Sequence, residues 1–157
     1  MGVSNQSKCQ IDGRAAHESI DNGTYYGKKN ILSGIDVYCE KYGLQGKIDI
    51  LDIQNKELIE RKNYISHIYD GQIFQLYAQY FAVTEMGYEI KNLTIRSKKD
   101  NKKYVIPLPK DDIVMFTKFE KTLDDMRNFT MDDFMQINTK KCIMCIYEPS
   151  CDRSISC

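Results

Sequence analysis

Residues 46–62, GKIDILDIQNKELIERK, decide how this chain is to be read. GKIDILDI (46–53) alternates well enough for a strand, Asn55-Lys56 makes a tight connection, and ELIERKN (57–63) reads as the next strand. Together they predict a β-hairpin over 46–62. Just beyond it, in DGQIFQLYAQYFAVTEMG (70–87), Ile73, Leu76, Tyr77, Tyr80 and Val83 recur at helical spacing and Gly87 supplies a stop. Two more strands are expected around 89–97 and 103–108, separated by the charged turn KKDN. Upstream, ILSGIDVYCE (31–40) reads as a further strand, GTYYGKKN (23–30) as turns, and DGRAAHESIDN (12–22) as a helix ending at Gly23. Downstream, Pro109 opens an acidic helix running to about Asn128, with Asp111 and Asp112 in its first turn. Thr130 is the expected cap of a short helix, MDDFMQI (131–137). The order predicts an α/β fold, a mixed sheet flanked by helices in a single domain.

Composition agrees with one domain. The chain has 157 residues, 42% hydrophobic and 28% charged, which suits a globular fold with a real core. Lys plus Arg equal Asp plus Glu at 22 each, so no global charge announces nucleic acid or a membrane surface, although a local site is still compatible with DNA. No run approaches the ~20 apolar residues of a membrane helix, and MGVSNQSK does not read as a signal peptide. A cytoplasmic protein without membrane partners is expected.

Six cysteines are present, and three of them, Cys142, Cys145 and Cys151, cluster in CIMCIYEPSC with C-x2-C-x5-C spacing. A two-residue gap lets two thiolates turn back onto one metal ion or iron–sulfur cluster, and the spacing does not separate zinc from iron–sulfur. Scattered buried thiols are the plainer alternative.

Asp49 lies in the first strand of the hairpin, and Glu60-Arg61-Lys62 ends the second. Side chains alternate along a strand, so Glu60 and Lys62 point one way and Arg61 the other. The hairpin brings Asp49 beside Glu60. Two close carboxylates repel, a divalent cation relieves the repulsion, and a nearby lysine orients water for attack on a phosphodiester. Alone, such residues are usually solvent-facing. His17 on the early helix offers an imidazole of the kind that ligates catalytic metals, although a single His is more often a structural or surface residue, and His67 has a weaker claim in a loop. Gln72, Gln75 and Gln79 form a narrow polar stripe on an otherwise apolar helix, either a solvated face or a set of amides for a sugar–phosphate backbone. KNLTIRSKKDNKK (91–103) carries six Lys or Arg against one Asp, a net +5 that suits phosphates or a solvated turn equally.

In their order, His17, Asp49, Glu60-x-Lys62 and QLYAQYFAVTEMGY (75–88) resemble the motifs of RecB-like nucleases of the PD-(D/E)xK superfamily. With the terminal cysteines, residues 11–152 are similar to the CRISPR-associated exonuclease family Cas-four, most of all to members found beside type V effectors. The resemblance implies a polar segment at 1–10, a RecB-like nuclease core at 11–135 and a cysteine (iron–sulfur) knuckle with tail at 136–157. It implies a Mn²⁺- or Mg²⁺-dependent DNA exonuclease acting on single-stranded ends in CRISPR adaptation, trimming prespacers and selecting the PAM-side end with the CRISPR integrase complex. His17, Asp49, Glu60 and the Arg61 carbonyl are the implied metal ligands, and Lys62 is the implied catalytic lysine beside Asp49 and Glu60. Gln75, Gln79, Gln72 and Tyr80 are the DNA-positioning residues. Gln75 matches the glutamine of the family's Q-x-x-x-Y motif, whereas Gln79 stands where the family has tyrosine and Tyr80 is its neighbour. Cys142, Cys145 and Cys151 are implied ligands of a 4Fe–4S cluster. The family's first cysteine segment is not matched, as in an N-terminally shortened chain, which leaves Cys9 as a substitute fourth ligand, Cys39 or Cys157 as weaker ones, or an incomplete cluster. A non-catalytic iron–sulfur or zinc subunit docking the integrase and DNA is the second reading.

Overall fold

The computed structural model describes residues 30–132 and 134–156. The helix expected at 12–22, the turn at 23–29, and His17, Cys9 and Cys157 lie outside the described residues.

A long antiparallel hairpin begins the described chain. Strand β1 (Ile31–Ser33) pairs with β4 (Ile50–Asp52), and β2 (Asp36–Cys39) pairs with β3 (Leu44–Lys47). Ser33 faces Ile50 and Asp36 faces Lys47, so both halves keep one register across a break. The strands expected over 31–40 and 46–53 are therefore each cut in two. The cause is local: Gly34 takes φ +64°, a left-handed conformation that suits glycine. Its N–H donates to Ile48 O at 3.0 Å, and Ile48 N–H donates to Ile35 O at 3.0 Å. Ile48 and Asp49 are both buried although adjacent, which a straight strand with one buried face does not give. Beyond the bend β2 and β3 form a separate two-stranded sheet.

The main sheet has the order β1-β4-β5-β6-β7. The predicted turn at Asn55-Lys56 joins β4 to β5 (Glu57–Lys62), with Lys56 at φ +52° and Asp52 accepting from Asn55. Helix α1 (Asp70–Glu85) then crosses over to β6 (Asn92–Ser97), which runs parallel to β5. A turn leads back to β7 (Lys103–Ile106), antiparallel to β6. One parallel pair among antiparallel ones is the mixed sheet expected.

Helix α1 lies as predicted to within two residues. Gly87 at φ +92° ends it, with Gly87 N–H donating to Thr84 O and Tyr88 N–H to Val83 O, the paired bonds of a Schellman stop. Its inner face carries Leu76, Tyr77, Gln79, Ala82 and Val83. Val37 and Cys39 of β2 join the same core. The Glu85 carboxylate fastens the β2–β3 turn to the helix by accepting from the Cys39 thiol and from the Glu40 and Lys41 N–H groups. Those donors, the thiol first, hold Glu85 below the usual carboxylate range.

Helix α2 (Ile113–Arg127) starts later than expected from Pro109. Leu108 O accepts from Asp111 and Asp112 N–H in a tight turn, and the Asp112 side chain caps the helix by accepting from Met115 N–H at 3.0 Å. Asp111 and Asp112 thus precede the first turn. Phe119 and Leu123 are buried, and Phe119 sits among Phe74, Tyr77, Phe81, Phe116 and Tyr42.

The helix expected at 131–137 is not found among the described residues of that span. Gln136 Oε1 accepts from the Ile137 and Asn138 N–H groups, competing with helical bonds, and Met135 and Ile137 have no apolar face to bury, at 80% and 85% exposure. Helix α3 (Thr139–Ile143) follows instead, capped by Asn138 rather than Thr130, and a 3-10 turn spans Glu148–Ser150. Among the described residues no helix is long and apolar enough to cross a membrane.

Candidate active site

The β4–β5 hairpin, the bend and α1 converge on Glu60. Glu60 has no exposed surface and Asp49 only 3%, so two carboxylates are buried within one hairpin. The antiparallel register sets Ile50 opposite Ile59 and, one residue on, carries Asp49 toward Glu60. The Asp49 carboxylate accepts from the main-chain N–H of Arg61 at 2.8 Å. Burial of a charge demands compensation, and the neighbours of Glu60 supply it. Lys62 Nζ donates to Glu60 Oε1 at 2.7 Å and to Gln75 Oε1 at 2.9 Å, while Gln75 Nε2 donates to the same Glu60 oxygen at 2.8 Å. A closed ring of three side chains results. The second oxygen, Oε2, accepts from Gln79 Nε2 at 2.9 Å, and that amide also donates to Lys47 O at 3.2 Å.

Gln75 and Gln79 reach this point because they lie one turn apart on the face of α1 that packs toward β5. They also line a cavity of about 150 Å³ with Lys47, Gly46, Gln45 and Val37. Gln79 Oε1 is buried without a hydrogen-bond partner, an acceptor left for a donor or a cation. Lys62 remains a quarter exposed, so the cluster opens to solvent on the lysine's side.

The donor set fits a hard divalent cation. The two buried carboxylates are oxygen ligands of the kind Mg²⁺ and Mn²⁺ take. Among the described residues no three His, Cys, Asp or Glu side chains gather around one point, and the expected third group, His17, lies outside them.

The hairpin and helix thus bring together Asp49, Glu60, Arg61, Lys62, Gln75 and Gln79. Gln72 does not join them: its Oε1 accepts from Tyr69 N–H at 3.0 Å and caps the start of α1. Tyr80 turns to the aromatic cluster, edge-on to Phe81. His67 lies edge-on to Tyr69 in the exposed β5–α1 loop. The Lys47 carbonyl was not expected at the site, and no sequence signal marks a main-chain oxygen.

Cys142, Cys145 and Cys151 line one hollow of about 280 Å³ together with Lys141 and Arg153. Their thiols are free, Cys142 buried and the other two exposed. Among the described residues they do not form a ready metal-binding group. Cys39 stands apart, beside Glu85 under the β2–β3 turn, and burial pushes its thiol up.

The chain is similar to a solved crystal structure, that of SSO0001, with a TM-score of 0.53 and 16% identity over 95% of this chain and 73% of that one. At that identity the likeness shows a shared fold. No protein-family model matches the chain, and no curated protein matches it.

Proposed function

We propose that this protein is a metal-dependent DNA exonuclease of the RecB-like, PD-(D/E)xK kind, hydrolysing phosphodiester bonds at single-stranded ends in CRISPR adaptation. The reading includes Mn²⁺ or Mg²⁺ as cofactor, DNA and the CRISPR integrase complex as partners, and the cytoplasm as its place. The observation that carries it is the buried Asp49–Glu60 pair with Lys62 and Gln75 closing a ring on Glu60. A merely structural hairpin would place apolar side chains in that interior. Buried charges that cost stability are found where chemistry requires them.

Asp49 and Glu60 would hold the cation, with the Arg61 carbonyl and, from the resemblance, His17. The bound cation supplies a more acidic water and charge stabilisation at the phosphate. The chain's own residues do the rest. Lys62 holds its ammonium at the open side of the cluster, where it orients water and offsets developing negative charge. Gln75 fixes the lysine's direction through its amide oxygen, and Gln79 fixes the second Glu60 oxygen. Activity is expected to rise toward alkaline pH, because the attacking water then gives up its proton more readily.

At the far end, Cys142, Cys145 and Cys151 would hold a 4Fe–4S cluster, and Lys141 and Arg153 beside them suit its negative charge.

The test is cleavage of end-labelled single-stranded DNA with Mn²⁺ by the chain and by its Glu60→Ala variant. Digestion that needs metal, stops with EDTA and is lost in Glu60→Ala is the expected result. Absence of digestion by a folded, monodisperse sample overturns the nuclease reading and leaves the docking-subunit alternative.

A further inference from the structure

The turn between β6 and β7 is pinned beside the end of β5. Lys98 N–H donates to Lys62 O at 2.8 Å, and Lys99 N–H donates to Asn63 O at 2.9 Å. Because β5 and β6 are parallel, with Lys62 opposite Ser97, both chains leave the sheet at the same end. The carboxyl ends of parallel strands are where ligands of α/β sheets usually lie. Here that end begins at Lys62.

Two further features meet there. The β5–α1 loop, residues 63–69, presents Tyr64 at 58% exposure and Tyr69 at 63%, with His67 exposed between them. None of these rings belongs to the core cluster. The Lys99 ammonium stands over the Tyr64 ring, 5.4 Å from its centre, and so occupies one of its two faces. Of the nearby cations, Lys102 pairs with Asp100 and Lys103 with Glu57. Among the described residues, Lys98 and Lys99 have no carboxylate partner. Uncommitted positive charge next to an exposed, unpacked aromatic ring is the makeup of a surface that takes phosphates and stacked bases together.

We infer that the β5–α1 loop and the β6–β7 turn form a shelf for an unpaired DNA strand beside Lys62. One base stacks on the face of Tyr64 that Lys99 leaves open, and the Lys98 and Lys99 ammonium groups meet the flanking phosphates. Paired bases already stack on each other and offer no free face, so the shelf selects single strands over duplex. The inference rests on the nuclease reading for its purpose, though binding is separable from cleavage.

Anisotropy of a fluorescein-labelled oligothymidylate, titrated with the intact chain in EDTA, measures the shelf without hydrolysis. Tyr64→Ala is expected to weaken binding about ten-fold, while Tyr64→Phe keeps it. Lys98→Ala and Lys99→Ala should each lower the salt dependence by about 0.7 in log–log slope, one phosphate on a single strand. Tyr64 is exposed, and an unchanged melting temperature excludes misfolding as the cause. Binding unaffected by Tyr64→Ala, equal binding of a duplex, or no binding by the intact chain overturns the shelf. Tyr64-dependent binding without Mn²⁺-dependent cleavage upholds the shelf and overturns the nuclease reading. Cleavage lost in Glu60→Ala but untouched, with binding, in Tyr64→Ala does the reverse.

Discussion

Glu60 is held by two amides and one ammonium, and the ammonium is the only neighbour among these that balances its charge. Replacing Lys62 by methionine keeps most of the volume and leaves a buried carboxylate with neutral donors alone. Lys62→Met is expected to destabilise the metal-free protein by about 2 kcal/mol, a value discounted because the lysine is partly exposed. Mn²⁺ should restore part of the loss, which thermal denaturation with and without the ion measures. A second residue answers to pH. The Tyr77 hydroxyl is buried in the core without a hydrogen-bond partner. Burial, with Asp112 and Asp111 adding to it, pushes its pKa up to about 12 from 10.0. The folded state therefore keeps a proton that the unfolded state releases. Its contribution is whole below about pH 10 and is lost as pH rises from there through about 12, a fall of about 3 kcal/mol in all. Tyr77→Phe should be neutral or slightly stabilising near pH 7, because it removes an unsatisfied polar group, and should flatten the alkaline decline in denaturant midpoint. A variant with the same alkaline decline would place the titrating group elsewhere, at Tyr42 or Cys39, both of which burial also raises.

At the scale of elements, the site depends on a bend that the sequence disguises. Alternation in GKIDILDI showed a strand and the Asn55-Lys56 turn showed its partner, so the Asp49–Glu60 approach was legible from pattern alone. The helix was legible too, because its apolar spacing and its Gly87 stop agree. What pattern did not reveal is that Gly34 breaks the first strand and that Ile48 and Asp49 are buried side by side. Alternation assigns each residue to one of two faces, whereas a bend creates a third direction. The cap at Asp112 and the missing helix at 131–137 failed for a related reason: both depend on which side chain wins a main-chain N–H, a contest of geometry more than composition. The bend makes a prediction. An alanine at position 34 must adopt φ near +64°, at a cost of about 1 kcal/mol. If the chain relaxes instead, the contacts from Gly34 N–H to Ile48 O and Asp49 O loosen and Asp49 moves. Gly34→Ala should therefore lower the melting temperature and shrink the increment that Mn²⁺ adds to it. A drop in melting temperature with the full Mn²⁺ increment retained would show that Asp49 is positioned without the bend.

Over the whole molecule, the core and the cysteine-bearing end are stabilised by different means. The main sheet, the bent ribbon, α1 and α2 share one buried cluster from Val37 to Leu123. Past Arg127 the chain exposes Ile143, Met144 and Tyr147, and Cys142 is its one buried hydrophobic residue among those described. This segment is tied mainly to itself. The Arg153 guanidinium donates to Met131 O and Phe134 O, and Glu148 accepts from the Ser154 and Ser156 hydroxyls, which with Ser156 first holds its carboxyl below the usual range. A segment with so little buried apolar surface gains most from a covalently bound inorganic core, as small metal-dependent modules do. Anaerobic addition of iron and sulfide is accordingly expected to produce absorption near about 400 nm and to protect residues 129–156 from proteolysis, with both effects lost in Cys145→Ala. Because the core's contacts do not run through this segment, the melting of the sheet should shift by only a few degrees in the same variant. Zinc uptake that gives the same protection without colour would assign the three thiols to that metal. If neither metal protects the segment, the thiols hold no metal, and its exposed apolar side chains need a covering that the 30–127 core does not supply.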